Sequence, residues 1–254
     1  MRGDSVGASG RAAVVVTLDF PSPDVAEFLG TLGCDAVALD IEHATPTAAD
    51  LSNLVRACAV GGVDLVGRTQ CRQEPVLMCL DAGLTVLELT QVTSAADVDQ
   101  VVGWAGFAPD GQRGIGRARA NSFGHHPGGY PAFVDSLRRD GIDLIVHVET
   151  VEAVAAVKQL AAHPWVKALV VGAHDLAASA GHPGDPSHPE VRQLIEAAVA
   201  EIGAGEAALG LSAGSRADAL SAVEQGAGVL LVSQARLMSH ALSSVLKGAA
   251  EVTR

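Results

Sequence analysis

The chain has 254 residues, 48% of them hydrophobic but only 3% aromatic, so its core must be built largely from Val, Leu and Ala. A net charge of −12, from 17 basic and 29 acidic residues, argues against nucleic acid or an anionic membrane as the main partner. The four cysteines form no Cys-x-x-Cys pair, no apolar run is long enough to span a membrane, and the N-terminus lacks an apolar signal-peptide region, so we expect a cytoplasmic protein with reduced thiols.

Residues 1–10 read as a flexible tail and residues 11–254 as one domain. Ala12–Leu18 is the first expected strand and Asp24–Leu32 the first helix. The second strand, Ala36–Asp40, leads into Asp40-Ile41-Glu42-His43. A helix over Thr47–Ala59 follows, with Thr47 and Asp50 spaced as a capping box and Gly61-Gly62 ending it. Val63–Gly67 is the third strand, with Arg68 at its C-terminal end. Pro75–Asp81 is a short helix stopped at Gly83, Thr85–Leu89 the fourth strand, and Ala95–Trp104 a helix. Gly106–Tyr130 is rich in Gly, Arg and His with little hydrophobic period, which suits a functional loop.

The next stretch repeats the alternation. Leu144–Val148 is a β-branched run ending on Glu149 and Thr150, and Glu152–Ala162 has helical spacing. Lys167–Val171 is a buried-type strand stopped by Gly172, with Asp175 in the first turn of a new helix. After the polar connection HPGDPSHPE come a helix to about Ala204, a strand over Ala208–Leu211 and a helix over Arg216–Gln225. A strand over Gly228–Val232 and a helix from Ala235 to about Val252 close the chain. Eight alternating units point to an α/β fold, a single-domain (β/α)₈ TIM barrel. The alternative is an open doubly wound sheet, but no Gly-x-Gly-x-x-Gly follows the first strand, and Gly114-Ile115-Gly116 stands in the wrong context.

A parallel barrel collects the C-terminal ends of its strands at one mouth. Asp40, His43, Arg68, Glu149, Gly172 and Asp175 then face one pocket. Two carboxylates suit a hard divalent cation, although a strand-end charge and a helix-start charge explain Glu149 and Asp175 equally well on spacing alone. Arg68 can neutralise an oxyanion, or form a rim salt bridge to Glu42 or Glu88. His43 is a base near neutral pH if a carboxylate orients it, or a loop cap after a strand. The Gly172–His174 turn offers backbone N–H groups for a substrate carboxylate. Such a set suits a 2-oxo acid, with a metal acting as Lewis acid toward its enolate.

Several motifs together carry a resemblance. AVALDIEHATPT resembles a strand-end D-x-E-H-A motif; GRTQ followed by EPVLMCLDAG is similar to R-x-P…D-P-V-L…L-D-x-G. APDGQRGIGRARANSFG, HVETVEAV, VVGAHDLAASAG and SHPEV match further motifs in colinear order, from about Val14 to Val245. The chain resembles the HpcH/HpaI family of metal-dependent aldolases, the 4-hydroxy-2-oxoheptanedioate aldolase type. The resemblance implies a pyruvate/phosphoenolpyruvate-type barrel and a divalent cation (Mg²⁺, Mn²⁺ or Co²⁺) held by Glu149 and Asp175. It implies that Arg68 contacts the pyruvyl oxygen and that His43 with Asp40 forms the acid/base dyad. It also implies a homohexamer, a trimer of dimers exchanging a terminal helix. The reaction expected is reversible cleavage of a 4-hydroxy-2-oxo acid to pyruvate, or a related 2-oxo acid, and an aldehyde.

Departures from the family pattern lie around the site. The motif Gln is His147, the G-P-x-D-L-S signature is Gly172-Ala173-His174-Asp175-Leu176-Ala177, and V-P-M after the fourth strand is Leu89-Thr90-Gln91. Thr69 replaces the usual Pro, and Ser233-Gln234-Ala235 replaces G-S-D. Residues expected to touch substrate are Arg68, His147, Gly172, Ala173, His174, Leu211 and Ser212. His147 is either a third metal ligand or a neutral hydrogen-bonding substitute for Gln. His125, His126 and Tyr130 read as surface or interface residues, and Leu237, Leu242 and Leu246 as packing at a subunit interface. The changed neighbours keep two further readings open: another enolate reaction, such as oxaloacetate decarboxylation or biosynthetic C–C bond formation, and a non-catalytic 2-oxo-acid-binding barrel.

Overall fold

Period-two alternation along short parallel strands sorts this chain into two cores. The computed structural model describes residues 11–251; the tail expected over 1–10 and the residues after 251 lie outside it. In chain order the elements are β1 (Ala13–Leu18), α1 (Pro23–Thr31), β2 (Ala36–Asp40), α2 (Ala48–Gly61), β3 (Asp64–Gln70), α3 (Gln73–Ala82), β4 (Val86–Thr90) and α4 (Ala95–Ala105). A 3₁₀ segment (Arg119–Gly124), α5 (Gly129–Asp140), β5 (Asp143–Val148), α6 (Val151–Ala161), β6 (Val166–Val171) and α7 (Ala173–Ser179) follow. The remainder is α8 (Pro189–Gly203), β7 (Ala208–Ser212), α9 (Arg216–Glu224), β8 (Ala227–Ser233) and α10 (Gln234–Glu251). The eight strands pair in sequence order and β1 closes on β8, all parallel, so the fold is a (β/α)₈ barrel.

Outward residues such as Val37, Leu39, Leu87, Leu89, Leu144, Val146, Val148 and Leu169 pack under the helices. Inward residues Ala38, Val66, Val86 and Ile145 belong to a separate cluster filling the barrel. Two residues further along each of these four strands stand Asp40, Arg68, Glu88 and His147. The alternation therefore aims four polar side chains into the barrel at its C-terminal end.

The capping box is formed: Thr47 Oγ1 accepts from the Asp50 N–H at 3.2 Å, and the Thr47 N–H reaches Asp50 Oδ2 at 2.7 Å. Gly62, at φ 68°, closes α2 in the left-handed conformation. Two expectations need correction. β3 runs on to Gln70, because Thr69 and Gln70 pair with Leu89 and Thr90, so Arg68 sits inside the strand and not after it. The segment before β5 holds a full helix, α5, that buries Phe133 deeply; it is polar overall and opens on Gly129 and Pro131, so its start merges with the Gly-rich loop. The loop ahead of it is tied down by Arg113, which is buried and reaches Asp81 Oδ1 on α3 at 2.7 Å.

All four cysteines are free, and burial pushes the thiols of Cys58, to about 11, and of Cys71 and Cys79, to about 12, away from reactivity. No helix among the described residues is long and apolar enough to cross a membrane. Leu237, Met238, Leu242, Val245 and Leu246 leave an exposed apolar face on α10.

Candidate functional site

Register places Asp40 beside Arg68 and Arg68 beside Glu88 on adjacent strands. Arg68 is buried and serves three carboxylates: Nη1 to Asp40 Oδ2 at 2.8 Å, Nη2 to Glu42 Oε2 at 3.1 Å and Nε to Glu88 Oε1 at 3.4 Å. Burial alone would lower its pKa, but Glu88, Asp40, Glu42 and Glu149 together raise it. The guanidinium is thus a permanent charge held in a fixed orientation. Asp40 is equally committed, since its Oδ1 accepts the backbone N–H groups of Glu42 and His43 at 2.9 and 3.0 Å. That turn is what the Asp-x-x-His spacing builds.

His147 lies between two buried acids. Nε2 is 2.6 Å from Glu88 Oε1 and Nδ1 is 3.3 Å from Glu149 Oε2. Burial pulls its pKa down, but the contacts with Glu149 and Glu88 outweigh this and raise it to about 9. Glu149 is 1% exposed, and its Oε1 accepts the Gln91 N–H at 2.7 Å. Burial works to raise its pKa, while His147, the Gln91 N–H and Arg68 hold it below the usual carboxylate range. Gln91 makes this contact from a left-handed backbone, φ 55°, strain of a kind that clusters at functional sites. Thr150 then caps α6 through the Ala153 N–H at 3.0 Å, turning the chain just after Glu149.

A cation between Glu88 and Glu149 stabilises the fold only while it is charged. Because the folded pKa of His147 lies above the unfolded value, its contribution is full below about pH 6.5 and is lost as pH rises through about 9. The metal-free protein should therefore melt at progressively lower temperature between pH 7 and 9.5, and His147→Gln should flatten that slope. Equal slopes for the two proteins would remove His147 as the cause.

The pocket over these groups has a volume of about 290 Å³; Asp40, His43, Arg68, Glu88, His147, Asp175 and Ser212 line it, joined by Asp19, Ser233 and Arg236 from the β1 and β8 sides. Asp175 is exposed, and no hydrogen bond or ion pair occupies it among the described residues. Glu149 lies behind His147 and not on the wall. Gly172 stands against it: a Cβ there would come within 2.8 Å of Glu149 Cβ and 3.1 Å of Oε2, so only glycine lets α7 start this close. Ala173 and His174 form the first turn of α7 beside this contact, outside the wall. Leu211, on β7, is partly buried against the apolar clusters, and Ser212 with Ala213 faces the pocket.

His43 is placed differently from the expected dyad. Its side chain is 67% exposed, and its Nε2 lies 3.5 Å from Glu42 Oε2; among the described residues no other carboxylate comes within ion-pair reach of the ring. Glu42 in turn receives Gln70 Nε2 on Oε1 at 3.2 Å. In the sequence Gln91 stood out only within the Leu89-Thr90-Gln91 departure, Gln70 only as the end of GRTQ and Glu88 only as a possible rim partner of Arg68, while Asp19 and Arg236 carried no signal of their own. A charged residue in the middle of the buried strand Val-Leu-Glu-Leu-Thr was the available signal for Glu88.

The donor set suits a divalent cation. Glu149 is a buried carboxylate kept ionised, and Asp175 is a free carboxylate at the pocket; hard cations take oxygen ligands of this kind.

The chain is similar to known proteins along most of its length. Residues 15–232 match the family model described as HpcH/HpaI aldolase/citrate lyase. A hydroxypyruvate/pyruvate aldolase of Sagittula stellata is 34% identical over 74% of this chain and 73% of its own. A 2-dehydro-3,6-dideoxy-6-sulfogluconate aldolase of Pseudomonas putida is 32% identical over 89% of each chain. A crystal structure of an HpcH/HpaI aldolase/citrate lyase family protein from Burkholderia cenocepacia superposes with a TM-score of 0.87, at 29% identity over 99% of this chain and 98% of that one. Matched by the family model over residues 15–232, and 34% identical to a relative over 74% of its length, this chain belongs to the HpcH/HpaI aldolase/citrate lyase family.

Proposed function

We propose that the protein is a metal-dependent carbon–carbon lyase that cleaves a 4-hydroxy-2-oxo acid reversibly to pyruvate, or a related 2-oxo acid, and an aldehyde. The observation that supports this most is the position of Arg68: a guanidinium fixed by three carboxylates, opening on the same pocket as Asp175. Glu149 and Asp175 would hold the cation. When bound, it supplies Lewis-acid polarisation of the 2-oxo acid. Arg68 faces the oxygen on which charge develops as the bond between the third and fourth carbons breaks. His43 takes the proton from the hydroxyl on the fourth carbon, which leaves as the aldehyde, and protonation of the remaining enolate yields the 2-oxo acid. Asp40 holds Arg68 and turns the chain so that His43 stands at the rim.

Exchange of the pyruvate methyl protons in deuterated buffer, with Mn²⁺ added, tests the enolate step without any aldehyde. Pyruvate release from 4-hydroxy-2-oxo acids tests cleavage. Arg68→Ala should lose exchange and cleavage alike, by on the order of 3 kcal/mol in the barrier. That variant also leaves Asp40 and Glu88 buried without their cation, so Arg68→Lys, which keeps the charge but not the fork, serves as the folded control and should remain well below wild type. Normal exchange in either variant would reassign Arg68 to structure alone.

The apolar face of α10 supports an assembly of identical chains, in line with the hexamer the family resemblance implies. Four free cysteines support a reducing, cytoplasmic setting.

A further inference from the structure

A cluster outside the pocket has the composition of a transition-metal site. His182, in the connection between α7 and α8, and His188, which caps α8, stack their rings with centroids 3.5 Å apart and planes 18° from parallel. Glu190 Oε2 lies 3.1 Å from His182 Nε2. Each of the three residues offers a ligand atom, and these atoms all lie within 4.8 Å of one another. None of the three lines the barrel pocket.

The backbone holds both histidines in place before any ion arrives. The His182 N–H donates to Ala177 O at 2.7 Å, and the Asp185 N–H to His182 O at 3.0 Å. The His188 N–H reaches Asp185 O at 3.3 Å, and His188 O accepts the Arg192 N–H of α8 at 2.9 Å. The ends of this loop are therefore pinned to the last turn of α7 and the first turn of α8. Glu190, in that first turn, supplies negative charge at the helix end where a cation would otherwise be disfavoured.

We propose that His182, His188 and Glu190 form a second metal site, for Zn²⁺ or a similar imidazole-preferring dication, distinct from the carboxylate site of the barrel. Two imidazoles and one carboxylate, with water completing the shell, are a zinc-type donor set; Mg²⁺ prefers oxygen and would not compete there. Ligation costs little that the fold relies on. His188 Nδ1 accepts the Glu190 N–H at 3.4 Å, a long bond, and the stacked rings need only fan apart to share an ion. A bound ion would clamp the α7–α8 connection, steadying the helix that carries Asp175 without touching substrate.

The test uses the full chain, stripped of metal and then saturated with Mg²⁺ to fill the oxygen site. Equilibrium dialysis against Zn²⁺ should show one additional ion per chain, and Co²⁺ should give the visible absorption of a nitrogen-ligated site. His182→Ala and His188→Ala should each weaken Zn²⁺ binding by about 10- to 100-fold and remove the Zn²⁺-dependent rise in melting temperature. Both variants should keep Mg²⁺-supported turnover, which shows that they fold. Zn²⁺ binding unchanged in both histidine variants, or lost only in Asp175→Asn, would overturn the site. Absence of the additional ion from the wild type would reduce the cluster to a surface His–Glu pair and overturn it as well.

Discussion

Asp175→Asn and Glu149→Gln should each lower metal-dependent turnover by on the order of a thousandfold or more, the scale of a Lewis-acid contribution of several kcal/mol. The two variants fail for the same chemical reason but differ in what else they disturb. Asp175 is exposed and its carboxylate makes no hydrogen bond or ion pair among the described residues, so its amide should shift the melting temperature little while activity falls. Glu149 is 1% exposed and faces both His147 and Gln91, so its amide leaves His147 with Glu88 alone and should also reduce stability. Activity and melting temperature measured side by side therefore separate a ligand from a structural charge. Wild-type activity that persists in EDTA would sink the metal reading, whatever the variants do.

The barrel was legible because alternation and turn chemistry agree along the chain. Thr47 with Asp50 and the Gly61-Gly62 stop each formed as the residue types required, and the eight strand–helix units closed in order. Asp40 and Arg68 were legible as site residues because a parallel barrel gathers the C-terminal ends of its strands at one mouth, and His147 because it stands where the family motif has Gln. What stayed hidden depends on contacts between strands. Spacing within Asp40-Ile41-Glu42-His43 suggests that the aspartate serves the histidine. The strand pairing instead gives Asp40 to Arg68, and the local turn gives its second oxygen to backbone N–H groups. Glu88 and His147 become partners only because β4 and β5 are neighbours, 59 residues apart in sequence. The α5 helix stayed hidden because it is polar overall and opens on Gly129-Tyr130-Pro131, which reads as a continuation of the Gly-rich loop.

His43→Ala should separate aldol cleavage from the simpler enolate chemistry of the same pocket. In cleavage, a base must remove the proton of the hydroxyl whose carbon becomes the aldehyde. Oxaloacetate decarboxylation has no such proton: carbon dioxide leaves with the bond, and the electrons pass directly to the oxygen facing Arg68. Loss of His43 should therefore cost cleavage about 10²–10⁴-fold, the usual worth of a positioned base, while decarboxylation survives comparatively well. The supporting variants follow from the geometry. Glu42 lies beside the His43 ring at 3.5 Å but also holds Arg68 Nη2 at 3.1 Å, so Glu42→Gln should slow both reactions, cleavage more than decarboxylation. Asp40 holds Arg68 at 2.8 Å, so Asp40→Asn should slow both reactions together. Rate constants for the two reactions, measured on each variant with metal saturating, give the pattern. Equal loss of both activities in His43→Ala would mean that His43 maintains the site and does not move the proton.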